Sequence, residues 1–206
     1  MVVVVVATPI EGALLQERLV DRHDVRIVVT GVGPVNAAHA VTLAIVRDQP
    51  AAIVVCGIAG AYPGSGLRIG DVVSASSECY GDLGAASPSG FLDMKALGFA
   101  VIDGSPPIYN ELPMQVFPST ALARFVTVST CTGTDEMARS IEARTHGAVE
   151  NMEGAAIAHV AHIHGVPVGE VRAISNLVTN RDTATWQVKT AAIAAQEAVF
   201  TWLARL

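Results

Sequence analysis

The chain is poor in charge, in aromatics and in cysteine, and each shortage removes a class of protein. Charged residues fill 16% of its 206 positions against 51% hydrophobic, which excludes a disordered chain. Lysine and arginine number 13 against 19 aspartates and glutamates, a formal net charge of -6. No basic cluster offers a nucleic acid its electrostatic footprint. Cys56, Cys79 and Cys131 lie far apart, with no CxxC and no histidine in ligand spacing. Neither a disulfide framework nor a zinc site is expected, and the three read as buried free thiols in a reducing compartment. No apolar run reaches membrane-spanning length: the opening MVVVVVATPI is short and lacks a basic start, which marks a buried strand rather than a leader or a span. A soluble, cytoplasmic protein without nucleic-acid or membrane partners is the expectation.

What is present is an alternation of strand and helix signals. Residues 2–7 are a β-branched run of the kind covered on both faces. Pro9 then suits the first turn of a helix reaching Leu19. Residues 25–30 read as a strand, and GVGP opens a helix with apolar positions from Val35 to Ile45. Residues 51–56 read as a third strand, ended by the glycine-rich GIAGAYPGSG. Strands are also expected over 69–80, 125–130, 147–151 and 166–175, with helices after Thr134 or Asp135, over 153–164 and over 185–206. Between Gly81 and Thr120 the chain is rich in glycine, proline and serine, a functional loop or an assembly surface. No repeat or linker divides the chain, so residues 1–206 read as one α/β domain.

Ligands of α/β sheets gather beyond the carboxyl ends of strands. Polar residues collect there in this chain: Glu11, the Gly57–Gly60 turn, Thr132–Thr134, Asn151–Glu153 and Ser175–Asn176. Each has a plainer reading. Glu11 and Glu153 at helix starts complement a dipole, Met152 suits core packing, and GVGP is neither GxGxxG nor a P-loop, so tight turning explains it better than phosphate binding. A nucleophile–base pair is missing: GxSxG does not occur, and His159, His162 and His164 share one helix, where packed or solvated roles outweigh metal binding.

Taken in order, IEGALL, TGVGPVNAAHA, CGIAGAYPGSGLRIGDVV and ENMEGAAIAHVAHIHGVPVGEVRAISN resemble the nucleoside phosphorylase and hydrolase superfamily. Within it the pattern is similar to the methylthioadenosine/adenosylhomocysteine nucleosidases and their relatives, the futalosine hydrolases. The likeness covers most of the chain and is weakest over 81–120. It implies a three-layer fold with a mixed central sheet flanked by helices, a homodimer or higher homo-oligomer, a small nucleoside substrate, and neither cofactor nor metal. Residue by residue it implies that Glu11 is the base beside the attacking water. Met152 lies under the ribose, Glu153 grips the ribose hydroxyls, Thr132, Gly133 and Thr134 border the purine, and Asn176, supported by Ser175, addresses its N7 edge. The residue types fit the chemistry, because breaking an N-glycosidic bond builds positive charge on the sugar and negative charge on the base.

Three positions depart from the adenine-specific pattern. Asn176 replaces an aspartate, Ile58 a serine, and Asn151 a carboxylate before the Met-Glu pair. An amide donates to the two acceptors, N7 and O6, of a 6-oxopurine and cannot deliver a proton as an acid. Hypoxanthine therefore fits better than adenine, which points to the futalosine hydrolases of menaquinone biosynthesis. Futalosine carries a carboxyphenyl group beyond its 5′ carbon; Arg181 is either its partner or half of a surface ion pair with Asp182 or Glu197. The enzymatic rivals are a methylthioadenosine-type nucleosidase and a phosphorylase. A phosphorylase needs arginines around a phosphate; Arg18, Arg22 and Arg26 sit too far along the chain for one, which leaves Arg68 as the other candidate. A nucleoside-binding protein without catalysis is the remaining alternative.

Overall fold

The computed structural model describes residues 1–117 and 120–205. Its first strand, β1 (Val2–Val6), shows why a continuous valine run is stable here. Val3 and Val5 enter one apolar cluster, while Val4 and Val6 enter another on the opposite face. Strand residues alternate in direction, so a strand covered on both sides needs apolar residues at every position. Helix α1 (Pro9–Arg18) and strand β2 (Val25–Val29) follow, then α2 (Pro34–Asp48), and β1 pairs in parallel with β2 and with β3 (Ala52–Ala61).

Beyond β3 come β4 (Val72–Tyr80), a small hairpin of β5 (Gly84–Ser87) and β6 (Gly90–Asp93), the single turn α3 (Met94–Leu97), and β7 (Leu112–Pro113) on the edge of β4. The last part runs β8 (Ala121–Thr127), α4 (Asp135–Thr145), β9 (Val149–Asn151), α5 (Gly154–Ile163), β10 (Val168–Leu177) and α6 (Val188–Leu203). Thr134 caps α4, its hydroxyl accepting from the Met137 N–H at 3.2 Å. The expected terminal helix begins at Val188, after a 310 turn, and its final residue, 206, lies outside the described residues.

The sheet is mixed and flanked by α2 and α5 on one face and by α1 and α6 on the other, the three layers expected. It also closes on itself. β10 pairs in parallel with β3 and antiparallel with β4, and the path β4–β8–β9 returns to β3, so five strands form a ring from which β1 and β2 extend.

The strand expected over 125–130 lies at Ala121–Thr127, and three further boundaries differ from the sequence reading for a physical reason. β3 does not stop at Cys56 but runs to Ala61, taking Gly57 and Gly60 inside the strand. Glycine is depleted in strands, so propensity ends the element early, whereas side chains crossing the strand require it. β10 continues past Ser175 to Leu177 through a bulge, where register shifts between Ile174 and Asn176. β4 begins at Val72 rather than near Ile69, because Arg68–Asp71 forms a turn with Gly70 at φ 97°.

Candidate active site

A cleft of about 380 Å3 opens where α1, β3, β9, the start of α5 and the end of β10 meet. Glu11, Asn151, Met152, Glu153, Ser175 and Asn176 all line it. A larger cavity of about 570 Å3, walled by Cys79, Tyr80, Phe91, Arg124 and Arg144, contains none of the expected site residues. Thr132, Gly133 and Thr134 do not reach the cleft wall; Cys131, one residue earlier, does. Thr132 instead turns inward and donates from its N–H (2.9 Å) and hydroxyl (2.5 Å) to the carboxylate of Glu150.

Glu11 is buried, and its carboxylate reaches back to the start of its own helix. Oε2 accepts from the Thr8 N–H (2.9 Å) and hydroxyl (2.6 Å), and Oε1 accepts from the Ile58 N–H at 2.9 Å. The helix-start role therefore holds, and it leaves an acceptor position on Oε1, since a carboxylate offers about four lone pairs. Gly57 makes this approach possible: a Cβ there would stand 2.6 Å from Glu11 Oε1. Ile58 contributes its backbone to this side as well as its side chain to the wall. Its carbonyl accepts from Arg172 Nη1 at 2.9 Å.

Glu153 sits at the N-cap of α5, yet its side chain does not cap the helix. Asn151 does that work: its Oδ1 accepts from the N–H groups of Glu153 (2.9 Å) and Gly154 (2.7 Å). The Glu153 carboxylate is held by the Gly33 N–H on Oε1 (3.0 Å) and by Arg172 Nη2 on Oε2 (3.3 Å). The GVGP turn thus has a role that its sequence did not reveal, one backbone donor aimed at the site carboxylate.

Arg172 is the residue missed in the sequence reading. It is buried on β10, with Nε on Glu170 Oε1 at 2.5 Å. Burial works against its charge, but Glu170, Glu153 and Glu11 together raise its pKa, so the guanidinium stays ionised. Glu150 was missed too. It lines the cleft while accepting from the Tyr62 hydroxyl at 2.7 Å. An isolated charged residue in an apolar run carries no signal of its partners, which come from other strands.

Ser175 and Asn176 both line the cleft although successive strand residues normally face opposite ways. The bulge in β10 removes that alternation. Asn176 Nδ2 donates to the Leu177 carbonyl at 3.1 Å. A flipped amide would set two carbonyl oxygens against each other there, which fixes the amide orientation. Oδ1 accepts from the Ser175 hydroxyl at 2.7 Å, leaving the second N–H of the amide for the cleft. Gly60 clears space for this group, since a Cβ would stand 3.2 Å from Nδ2 and 2.7 Å from Val178 Cγ2.

Arg181 forms neither expected ion pair among the described residues. Glu197 pairs with Arg18 at 2.7 Å, and Asp182 accepts from the Ala184 N–H. Arg181 stacks over Trp186, 4.8 Å from the ring centre, and donates to Cys131 Sγ at 3.3 Å; both of those residues line the cleft. His159 accepts or donates at Tyr80 Oη (3.1 Å) and meets the Val101 carbonyl (2.8 Å), and His162 meets the Pro113 carbonyl. They fasten the 81–117 segment to α5. Among the described residues no group of three or more His, Cys, Asp or Glu is arranged to hold a metal ion.

The phosphorylase superfamily model matches residues 6–206. The chain is 39% identical to a futalosine hydrolase of Acidothermus cellulolyticus over 79% of this chain and 68% of that protein. It is 37% identical to one from Streptomyces coelicolor over 88% and 79%. Among solved structures it superposes on a methylthioadenosine/adenosylhomocysteine nucleosidase from Colwellia psychrerythraea bound to adenine, with TM-score 0.83 at 24% identity over 100% and 95% of the two chains. A mutant futalosine hydrolase of Helicobacter pylori superposes with TM-score 0.82 at 15% identity over 100% and 99%. At these identities the two structures establish the shared fold.

Proposed function

The chain belongs to the phosphorylase superfamily, and we propose that it is a purine nucleoside hydrolase acting on futalosine, releasing hypoxanthine and dehypoxanthine futalosine in menaquinone biosynthesis. Its 35–39% identity to three futalosine hydrolases over most of the chain supports this. The observation that carries hydrolysis over phosphorolysis is the charge of the cleft. Its walls hold Glu11, Glu150 and Glu153, and the one cation among the described residues that line it, Arg172, is already engaged by Glu170, Glu153 and the Ile58 carbonyl. A phosphate dianion would meet carboxylates rather than open donors. Arg18, Arg22 and Arg26 pair with Glu197, Asp24 and Asp48, and Arg68 lies off the cleft.

The reaction then divides between the walls. Glu11, with its open acceptor position, takes the proton of the attacking water as the sugar gains positive charge. Glu153 accepts from the ribose hydroxyls with charge-assisted bonds, and Met152 packs below the ring. At the other wall Asn176 donates from its NH2 to the 6-oxopurine edge, stabilising the departing anion without acting as an acid. Arg181, held on Trp186 beside the cleft, supplies a guanidinium for the carboxyl group of the substrate's tail.

The protein is further proposed to assemble with itself. Val35, Leu43 and Val46 are 82%, 55% and 66% exposed along one face of α2, continuing from Val32 at the cleft. Sedimentation showing only monomer at micromolar concentration overturns that part. The activity is tested by incubating the protein with futalosine, inosine and methylthioadenosine, each with and without phosphate, while free base is measured. Fastest release from futalosine, independent of phosphate, is expected. Strict phosphate dependence rejects hydrolysis, and preference for methylthioadenosine rejects the substrate.

A further inference from the structure

Behind the ionic wall lie two carboxyl groups that the reaction does not touch. Glu78 on β4 and Glu170 on β10 are both completely buried. They converge beneath Gly154, the first residue of α5: a Cβ there would collide with Glu78 Oε1 and stand 2.5 Å from Glu170 Oε2. Two ionised carboxylates so close in an apolar interior repel each other strongly. Among the described residues, Glu170 Oε2 is the one buried side-chain polar atom that lacks a hydrogen-bond partner. A carboxylic acid at Glu78 supplies the missing donor.

Each member of the pair holds one arm of the site. Glu78 Oε1 accepts from Asn151 Nδ2 at 2.5 Å, which orients the Asn151 oxygen that caps Glu153 and Gly154. Glu170 Oε1 accepts from Arg172 Nε, which sends the other guanidinium nitrogens to Glu153 Oε2 and the Ile58 carbonyl. We propose that Glu78 and Glu170, joined by one shared proton, are the positioning residues of this site, setting the backbone of Glu153 through Asn151 and its carboxylate through Arg172. The inference rests on the nucleoside-hydrolase reading for its kinetic consequence, but not for its protonation.

The groups facing Glu78 are few. Burial raises its pKa most, Glu170 raises it further, and Arg172 and the Asn151 amide lower it, leaving it well above the ordinary carboxylate value. Thr127 on β8 donates to Oε2 at 3.1 Å and is neutral, and the chain neighbours Cys79 and Tyr80 are themselves pushed up by burial. The folded protein therefore holds a proton that the unfolded chain releases near an ordinary carboxylate pKa. Stability from this source is complete below that value and declines as pH rises toward the folded pKa.

The test compares Glu78→Gln, which keeps a donor and an acceptor but cannot ionise, with Glu78→Ala. Glu78→Gln is expected to keep kcat for futalosine within about threefold at neutral pH, and to lack the alkaline fall that ionisation of the pair is expected to give the wild type. Glu78→Ala should lose on the order of 100-fold in kcat, the scale of a displaced catalytic group. Thermal melts across pH 5 to 9, read without substrate, should show Glu78→Gln gaining on the wild type as pH rises, by at most about tenfold in the folding equilibrium per pH unit, roughly 1.4 kcal/mol. Parallel melting curves, an unchanged alkaline limb, or equal kcat in the two variants overturns the proposal. Wild type that melts as expected yet releases no base from futalosine overturns the substrate and leaves the shared proton standing.

Discussion

The cleft's two walls are built from opposite materials. One is ionic: Glu11, Glu153 and Arg172 are buried, and their charges are fixed by one another and by backbone donors. The other presents neutral groups: Ser175, Asn176 and Cys131 offer a hydroxyl, an amide and a thiol, with burial keeping the thiol protonated, while the carboxylate beside them, Glu150, is occupied by Tyr62 and Thr132. Under the proposed reaction the ionic wall faces the sugar, where positive charge develops, and the neutral wall faces the base. The contrast sharpens the proposal into two separable jobs: on that reading the carboxylates set the rate for any nucleoside, and the amide chooses the base.

Breaking the ionic wall has the largest expected effect. Glu11→Gln should lower kcat by roughly 10²–10⁴-fold, the span of a lost general base, and should do so equally for futalosine and inosine. Base release at saturating substrate measures it, and a loss below tenfold removes Glu11 from the role. Breaking the neutral wall should act on choice instead. Asn176→Asp replaces the donor by an acceptor and costs about 1–3 kcal/mol against a 6-oxopurine, roughly 10–100-fold in kcat/KM. Adenosine should lose less. If the inosine-to-adenosine ratio of kcat/KM is unchanged, Asn176 does not read the base.

Much of this contrast was legible in the sequence, and its limits are physical. Most element positions and the alternation of strands and helices follow from periodicity, because buried strands and amphipathic helices declare themselves locally, and the resemblance added the mixed three-layer sheet. Glu11, Met152, Glu153 and Asn176 stood out jointly at strand and helix ends, where ligands gather, and by the family resemblance, and all four line the cleft. What stayed hidden depends on distant residues. Arg172 has no local mark, since Glu153 and the Ile58 carbonyl reach it from other elements. The closure of the sheet through β10, β3 and β4 follows from tertiary pairing, and the bulge that presents Ser175 beside Asn176 leaves no compositional trace. The resemblance placed Thr132 at the border of the base, but its own bonds go to Glu150.

The smallest and sharpest test uses the two glycines misread as a loop. Gly57 and Gly60 lie three residues apart on β3, one beneath each wall. In Gly57→Ala the new methyl group would press on Glu11 Oε1 at 2.6 Å and on Arg172 Nη1 at 3.1 Å. In Gly60→Ala it would press on Val178 Cγ2 and then on the Asn176 amide. Overpacking of this kind costs about 1–3 kcal/mol, so both variants should melt several degrees below the wild type. Their kinetics should part. Gly57→Ala displaces the base and lowers kcat alike for every nucleoside, whereas Gly60→Ala displaces the amide and changes the inosine-to-adenosine ratio with a smaller fall in kcat. If the two variants share one kinetic pattern at matched loss of stability, the walls are not separable and the division of labour between them fails.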